Sequence, residues 1–248
     1  MDNETRSLPM VALRGLTIMP EMIVHFDVSR ERSIAAIQQA MVEEQEIFLV
    51  AQKSIETENP GQDDVYETGT VASVKQLIKL SKKVVRVLVE GKNRAVLKKI
   101  EETDPYLRAE VEVLEEQEIT IPDDLNAEAM MRGLKEIITE YAAKNGKISK
   151  ESVAEILDIT AANIPLKYKD QQELLEELDF WSRYEKLSLK LVNEMQIMEI
   201  KEELQRKVKS KVDKHQKEYL LREQLKVIRE ELGEDTTFSD ADEFEEAC

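Results

Sequence analysis

The segment 180–232 constrains the fold of this chain most, because it contains no glycine and no proline. Residues with high helix propensity dominate the segment, so the sequence predicts one continuous or once-broken helix. At ~1.5 Å of rise per residue, such a helix is roughly 80 Å long, well beyond the diameter of a small domain. Part of the predicted helix must therefore lie outside any single hydrophobic core.

Apolar residues recur at helical spacing along this segment. A stripe at each end consists of Leu187, Leu191, Met195 and Met198, and of Leu221, Leu225, Ile228 and Leu232. A thinner apolar line passes through charged neighbours between them, at Leu204, Val208 and Val212. This pattern predicts a helix that docks at each end and contacts partners. The alternative is an antiparallel hairpin within one chain, for which the sequence has no turn.

The first part of the chain has a different periodicity, typical of short strands separated by turns. Strands are predicted at residues 8–13, 23–28, 47–51, 69–80, 84–90, 93–100 and 106–114. One helix interrupts them, with Ser29 as its predicted N-cap and an end near residue 43. The glycine-containing residues 90–93 are predicted to form a hairpin turn. Several strands around one early helix predict a compact, barrel-like β domain.

Helices are predicted after the strands. Asp123 or Asp124 can cap a helix that ends before Gly146, Ser149 begins the next, and residues 169–178 form a further short helix. The sequence therefore predicts an α+β chain in four parts: a β domain at 1–118, a small helical bundle at 119–179, the long helix at 180–233 and an acidic tail at 234–248.

The charge distribution bears on possible partners. A formal net charge of −17 argues against a general nucleic-acid binder, because phosphate contacts require surplus cations. Residues 201–229 nevertheless contain ten Lys or Arg against five Asp or Glu. One prediction is weak DNA contact through this basic part of the long helix. A solvated charged face is the favoured alternative.

Several kinds of site are excluded by the residues present. The seven glycines include no pair spaced for a phosphate-binding loop followed by Lys and Ser or Thr. Cys248 is the one cysteine, and His25 and His215 are far apart, so neither a disulfide nor a metal site is expected. No apolar run of ~20 residues and no secretory signal is present, which predicts a cytoplasmic protein without a membrane span.

Three strings resemble one family. Residues 216–225, with the pattern Gln-x-Glu-Tyr-x-Leu-Arg-Glu-Gln-Leu, are similar to the string that ends the long helix of Lon-type ATP-dependent proteases. Residues 171–176 resemble that family's linker into the helix. Leu8-Pro9 with Leu13-Arg14 and Pro20 resembles the opening of its PUA-like N-terminal domain.

The resemblance implies a PUA-like β-barrel domain, an α-helical bundle and a very long C-terminal helix. It further implies the non-catalytic substrate-recognition and assembly region of a serine endopeptidase that degrades misfolded and short-lived regulatory proteins. The whole enzyme would be a cytosolic homohexamer that uses ATP and Mg²⁺, with its catalytic Ser and Lys beyond this chain. The alternative is a stand-alone binding module or adaptor without catalytic activity.

Candidate contacts with unfolded substrates or partners form three sets. They are Met19, Met22 and Ile23 near a proline-containing loop, Trp181 and Tyr184 at the start of the long helix, and Met195 and Met198 further along it. Flexible methionines suit variable apolar ligands. For the first two sets the alternative is ordinary packing in the core or against the bundle. For the third set, pairing with another subunit's helix and internal packing are both open.

Overall fold

The structure is a computed structural model that describes residues 4–81, 83–114, 132–133, 136, 157–158, 160–162 and 164–232. The chain divides into two compact units, Met1–Asn193 and Glu194–Cys248. Most of the predicted helices between residues 123 and 160, and the acidic tail, lie outside the described residues. The predicted four-part division of the chain stays a prediction.

The described elements are six strands, three α-helices and one 3₁₀ turn. In chain order they are β1 (Glu4–Leu13), β2 (Ile23–Val28), α1 (Glu31–Val42), β3 (Glu46–Ala51), the 3₁₀ turn Gln62–Asp64, β4 (Thr68–Lys79), β5 (Val85–Glu102), β6 (Leu107–Val113), α2 (Tyr168–Glu176) and α3 (Phe180–Glu231). The predicted bounds of β2 are confirmed, and α3 is one uninterrupted helix of 52 residues. No helix in the described part of the chain is long and apolar enough to span a membrane.

The six strands form one mixed sheet in the order β2-β5-β4-β3-β1-β6. The β1–β3 pair is parallel, and the other pairs are antiparallel. Because β6 pairs with β1 and also with β5, the strands β5-β4-β3-β1-β6 form a closed circuit. Such closure removes the exposed edges of the strands concerned. Strand β2 pairs with β5 and lies outside this circuit.

Two clusters of buried side chains form the core of the sheet region. Along β1 and β3, alternate residues enter different clusters: Val11 and Leu49 belong to one, and Met10 and Phe48 to the other. Both faces of the parallel pair are therefore buried, which explains why its strands read as continuous apolar runs. Ile37 of α1 packs into the first cluster, so the helix covers one of these faces.

The predicted hairpin turn at residues 90–93 is wrong, because β5 continues through it. Ala72 is opposite Gly91 and Val71 is opposite Asn93, so Lys92 is the extra residue of a β-bulge. Gly91 is needed for a close approach: a Cβ at this position would lie 2.1 Å from the backbone oxygen of Met19. A glycine inside a strand often marks such an approach of a second backbone.

The N-terminus of α1 also differs from the prediction. The N-cap of α1 is Arg30, without a side-chain cap, so the predicted cap at Ser29 is wrong. At the start of α3, the backbone N–H of Ser182 donates to Oδ2 of Asp179 at 2.8 Å. Backbone and side-chain hydrogen bonds from Ser182 hold the pKa of Asp179 below its ordinary value. Asp179 therefore satisfies one of the donors that a helix N-terminus leaves without an intrahelical partner.

We expect Gly91→Ala to lower the free energy of unfolding by about 1–3 kcal/mol, because the added methyl group displaces the Met19 backbone. Gly61→Ala is the matched control, since a Cβ there lies 3.7 Å from its nearest neighbour, Oδ2 of Asp64. Urea unfolding followed by fluorescence of Trp181, the one tryptophan, measures both variants. Equal midpoints for the two variants would contradict the close approach.

The cap of α3 should depend on pH. Because the pKa of Asp179 is lowered in the folded state, its charge stabilises the fold above the unfolded pKa of ~3.9, and this contribution disappears as the pH falls through the lowered value. Asp179→Asn keeps an oxygen acceptor but no charge. The difference in thermal midpoint between wild type and Asp179→Asn should be largest near neutral pH and vanish in acid. A difference that does not change with pH would rule out the charged cap.

Candidate functional site

A buried ion pair joins the sheet to the helices within the first unit. Nη1 and Nη2 of Arg94, on β5, donate to Oδ2 and Oδ1 of Asp158 at 2.7 and 2.5 Å. Nε of Arg94 donates to the backbone oxygen of Leu175 in α2 at 3.2 Å. The side chains of Arg94 and Asp158 are only 6% and 1% exposed. One guanidinium therefore holds α2 and the helical residues 157–158 against the sheet.

Further polar contacts reinforce this sheet–helix junction. Nη1 of Arg183, in the first turn of α3, lies 3.9 Å from Oδ1 of Asp158. The hydroxyl of Thr17 donates to the backbone oxygen of Tyr168 at 2.9 Å, and Nε2 of Gln172 donates to that of Thr68 at 2.8 Å. Side chains from both layers thus accept or donate across the junction, which fixes how α2 lies on the sheet.

The first predicted set of contact residues is divided by the fold. Met19 is fully buried, so a substrate cannot reach its side chain in this structure. Met22 is half-buried and packs against the first core cluster, whereas Ile23 is 67% exposed. The burial of Met19 thus agrees with the alternative that this residue packs in the core. A substrate contact at Ile23 stays a prediction.

The second predicted set lies in an aromatic cluster at the start of α3. The ring of Trp181 meets those of Phe180 and Tyr184 edge to face, with centroids 5.1 and 6.2 Å apart. Tyr184 is 8% exposed, and Trp181 is half-buried. The burial of Tyr184 therefore agrees with the alternative that this residue packs within the first unit. Only Trp181 keeps a partly exposed surface for a partner.

The third predicted set lies in the second unit, on the later part of α3. Met195 and Met198 are half-buried. Beside them runs what we call the apolar stripe, whose side chains are each about half exposed or more and recur every three or four residues: Ile197, Ile200, Leu204, Val208 and Val212. Residues at these spacings share one face of a helix. An exposed apolar face of this length is typical of a surface that binds another protein.

Charged side chains flank the apolar stripe. Glu202 pairs with Arg206 at 3.6 Å and Glu203 with Lys207 at 2.6 Å, both one helical turn apart. Such exposed pairs support the helix by a few tenths of a kcal/mol each, on the order of 0.3–0.5. Among the described residues, no group of His, Cys, Asp and Glu is arranged to hold a metal ion.

Sequence reasoning missed the sheet–helix junction and the edge of β2. Arg94 and Asp158 are 64 residues apart, and no local pattern connects them. The edge of β2 had a signal: Val24, Phe26 and Val28 alternate with Ile23, His25 and Asp27, and the structure exposes the second set. That alternation is typical of a strand with one solvent face. That β2 lies outside the closed circuit could be recognised only once the pairing of all six strands was known.

Two solved structures share the fold of most of this chain. The N-terminal domain of Lon protease from the Mycobacterium avium complex superposes with a TM-score of 0.57 at 19% identity, covering 73% of this chain and 96% of that one. A Lon N-terminal domain protein from Xanthomonas campestris gives 0.52 at 14% identity, covering 75% and 98%. These likenesses define the fold class, an α+β domain of the kind found at the N-terminus of such proteases.

Sequence comparison is more specific. A family model described as the ATP-dependent protease La (LON) substrate-binding domain matches residues 7–194. Lon protease of Lachnoclostridium phytofermentans is 44% identical and covers 97% of this chain, and that of Clostridioides difficile is 43% identical and covers 96%. The chain belongs to the Lon substrate-binding domain family. It spans 31% and 32% of these two relatives' lengths.

We expect Arg94→Met to destabilise the first unit by about 3–5 kcal/mol, because it leaves the Asp158 carboxylate buried without its main partner. The double variant Arg94→Met/Asp158→Leu should be more stable than the single variant, since the buried carboxylate is then no longer left without Arg94. Urea unfolding with Trp181 fluorescence measures both.

The matched control is Arg86→Met, which breaks the exposed pair of Arg86 with Asp27 and should leave the midpoint nearly unchanged. Equal effects of the Arg94 and Arg86 substitutions would contradict the role of burial.

Proposed function

We propose that this chain is the region of an ATP-dependent serine protease that binds protein substrates and contributes to assembly. The match of residues 7–194 to a substrate-binding domain is the observation that carries the proposal. The substrates are unfolded or misfolded proteins and short-lived regulatory proteins. Their common chemistry is apolar surface that a folded protein hides.

The two units have different proposed roles. The first unit, held rigid by the Arg94–Asp158 pair, presents its exposed surface to the substrate. In the second unit, the apolar stripe of α3 contacts α3 of another copy of the chain. A helix with one exposed apolar face gains burial only against a partner, and helical partners with matching stripes are a common solution. The paired helices would hold a captured segment until the motor of the enzyme pulls it in.

The remaining properties concern the whole protein. We infer a cytoplasmic homohexamer that uses ATP and Mg²⁺. The description of the matching family, an ATP-dependent protease, supports the use of ATP. The closed circuit of strands supports a PUA-like barrel as the finer fold of the first unit. Weak DNA contact through residues 201–229 is a secondary proposal, supported by their surplus of cations. The alternative function is a stand-alone binding module without catalytic activity.

The test of substrate binding uses a permanently unfolded protein, reduced and carboxymethylated α-lactalbumin with a fluorescent label. The chain should bind it weakly, should not bind the native disulfide-bonded protein, and should hydrolyse neither ATP nor peptide. Fluorescence anisotropy measures binding, and phosphate release measures hydrolysis. Equal affinity for the native and unfolded forms would contradict recognition of exposed apolar segments. Sustained ATP turnover by the pure chain would contradict the non-catalytic role.

The helix-pairing proposal predicts the behaviour of a triple variant. Replacing Ile200, Leu204 and Val208 with Ser should weaken self-association at least about tenfold, since each buried apolar side chain contributes about 1.5–3 kcal/mol. The control replaces Lys201, Gln205 and Lys209 with Ser, one position further along the helix and therefore on a different face. Sedimentation velocity measures both variants. A wild-type chain that stays monomeric at every concentration would contradict the pairing.

A further inference from the structure

Strand β2 has an open edge within the described part of the chain. The edge that faces β5 is fully paired, from Ile23 opposite Glu90 to Val28 opposite Val85. No other described strand pairs with β2. An unpaired strand edge presents a row of backbone donors and acceptors, and it is a ready template for another extended chain.

The hydrogen-bond pattern identifies which backbone groups lie on the open edge. Directly opposite residues of an antiparallel pair alternate between bonded and non-bonded pairs. The N–H of Gly91 donates to the backbone oxygen of Met22 at 2.9 Å, and the oxygen of Gly91 accepts from the N–H of Glu21 at 3.1 Å, so both backbone groups of Gly91 point toward the β2 side. The register continues without a shift, so Val24, Phe26 and Val28 also bond to β5. The N–H and C=O groups of Ile23, His25 and Asp27 therefore point away from β5.

The side chains of β2 suit an incoming strand. Ile23 is 67% exposed, and a strand added at this edge can pack a side chain beside it. On the other face, a cavity of about 150 Å³ lies between the ends of β1 and β2, lined by residues that include Leu13, Leu16 and Phe26. Because side chains of an added strand alternate between the two faces, every second one is directed toward this side of the sheet.

We propose that the open edge of β2 binds an extended segment of a protein substrate as an additional, hydrogen-bonded strand. This inference rests on the proposed function and specifies how the substrate is held. The backbone of the segment bonds to Ile23, His25 and Asp27, and apolar side chains at alternate positions contact Ile23 or enter the cavity. Backbone pairing of this kind supplies affinity that does not depend on the substrate's sequence, and side-chain pockets add selectivity.

A second copy of β2 is a poorer occupant of this edge. Antiparallel self-pairing centred on the middle open position places His25 opposite His25 and Ile23 opposite Asp27. The second of these pairings is unfavourable, since it sets an apolar side chain against a carboxylate instead of a matching partner. Asp27 is also bonded to Arg86 at 2.6 and 2.9 Å, which keeps its side chain beside β5. A substrate segment has no such restriction.

Amide hydrogen exchange of the wild-type chain tests the proposal directly. The probe is an acetylated peptide, Lys-Val-Thr-Val-Thr-Val-Lys-amide. At saturation it should slow the exchange of the Ile23, His25 and Asp27 amides at least about tenfold. The amides of Val24, Phe26 and Val28, already bonded to β5, should not change. A bound peptide that leaves the three open-edge amides unprotected overturns the proposal.

A pair of substitutions separates backbone from side-chain effects. His25→Pro removes the open-edge N–H without removing a bond to β5, since proline is tolerated at edges where the N–H faces solvent. His25→Thr removes the imidazole and keeps the N–H. We expect His25→Pro to weaken peptide affinity at least about fivefold and His25→Thr to change it less than about twofold. Circular dichroism and Trp181 fluorescence verify folding, and equal affinities of two folded variants overturn the proposal.

An N-methylated peptide covers the case in which His25→Pro does not fold. Methylation of alternate backbone nitrogens removes donors from one edge of the peptide and leaves its side chains unchanged. Wild-type chain should bind this analogue at least about tenfold more weakly, and equal binding of both peptides overturns the proposal. If the wild type binds neither peptide nor unfolded α-lactalbumin, the proposed function fails and this inference with it. If it binds the unfolded protein without open-edge protection, only this inference fails.

Discussion

The buried pair of Arg94 and Asp158 is the interaction on which the rest of the first unit depends. Two charges removed from water carry a large desolvation cost, which their attraction offsets only when the remaining hydrogen bonds are also made. Here all three guanidinium nitrogens of Arg94 are bonded: Nη1 and Nη2 to Asp158, and Nε to the Leu175 backbone. The net stabilisation from such a pair is small, but a displaced arrangement would strand a charge. Its main effect is therefore to select one position of the helices on the sheet.

Arg94 lies on β5, which pairs with more strands than any other described strand. Its 18 residues pair with β2, β4 and β6. A strand of that length follows a closed circuit only if it bends, and bulges supply local bends. The register shift at Lys92 is one of these, next to the glycine that admits the Met19 backbone. One stretch of the chain thus sets the curvature of the sheet, the course of the loop before β2 and the anchor of the helices.

Local features of the sequence predicted helices and strands well, but they did not predict which distant parts of the chain pack against them. The absence of glycine and proline predicted α3, and the strand at residues 23–28 was predicted with the bounds that β2 has. The glycine at 91 was interpreted by its local turn propensity, whereas its real cause is a backbone about 70 residues away. Met19 was a candidate contact because it is flexible and near a proline, yet burial depends on elements that no local pattern reveals. The three residue strings that resemble Lon proteases indicated the family but not which side chains remain exposed.

The two exposed surfaces differ in the kind of recognition that they allow. The apolar stripe of α3 offers side chains only, since every backbone group inside a helix is already bonded to its own chain. Its complementarity is therefore to a particular partner face, which suits a second copy with the same stripe. The open edge of β2 offers backbone groups, and every unfolded segment carries the same ones. A region that must accept many unrelated sequences gains more from the second kind of surface. The proposed division of roles between the two units follows from this chemistry: the proposal assigns sequence-tolerant binding to the sheet edge and specific self-recognition to the helix.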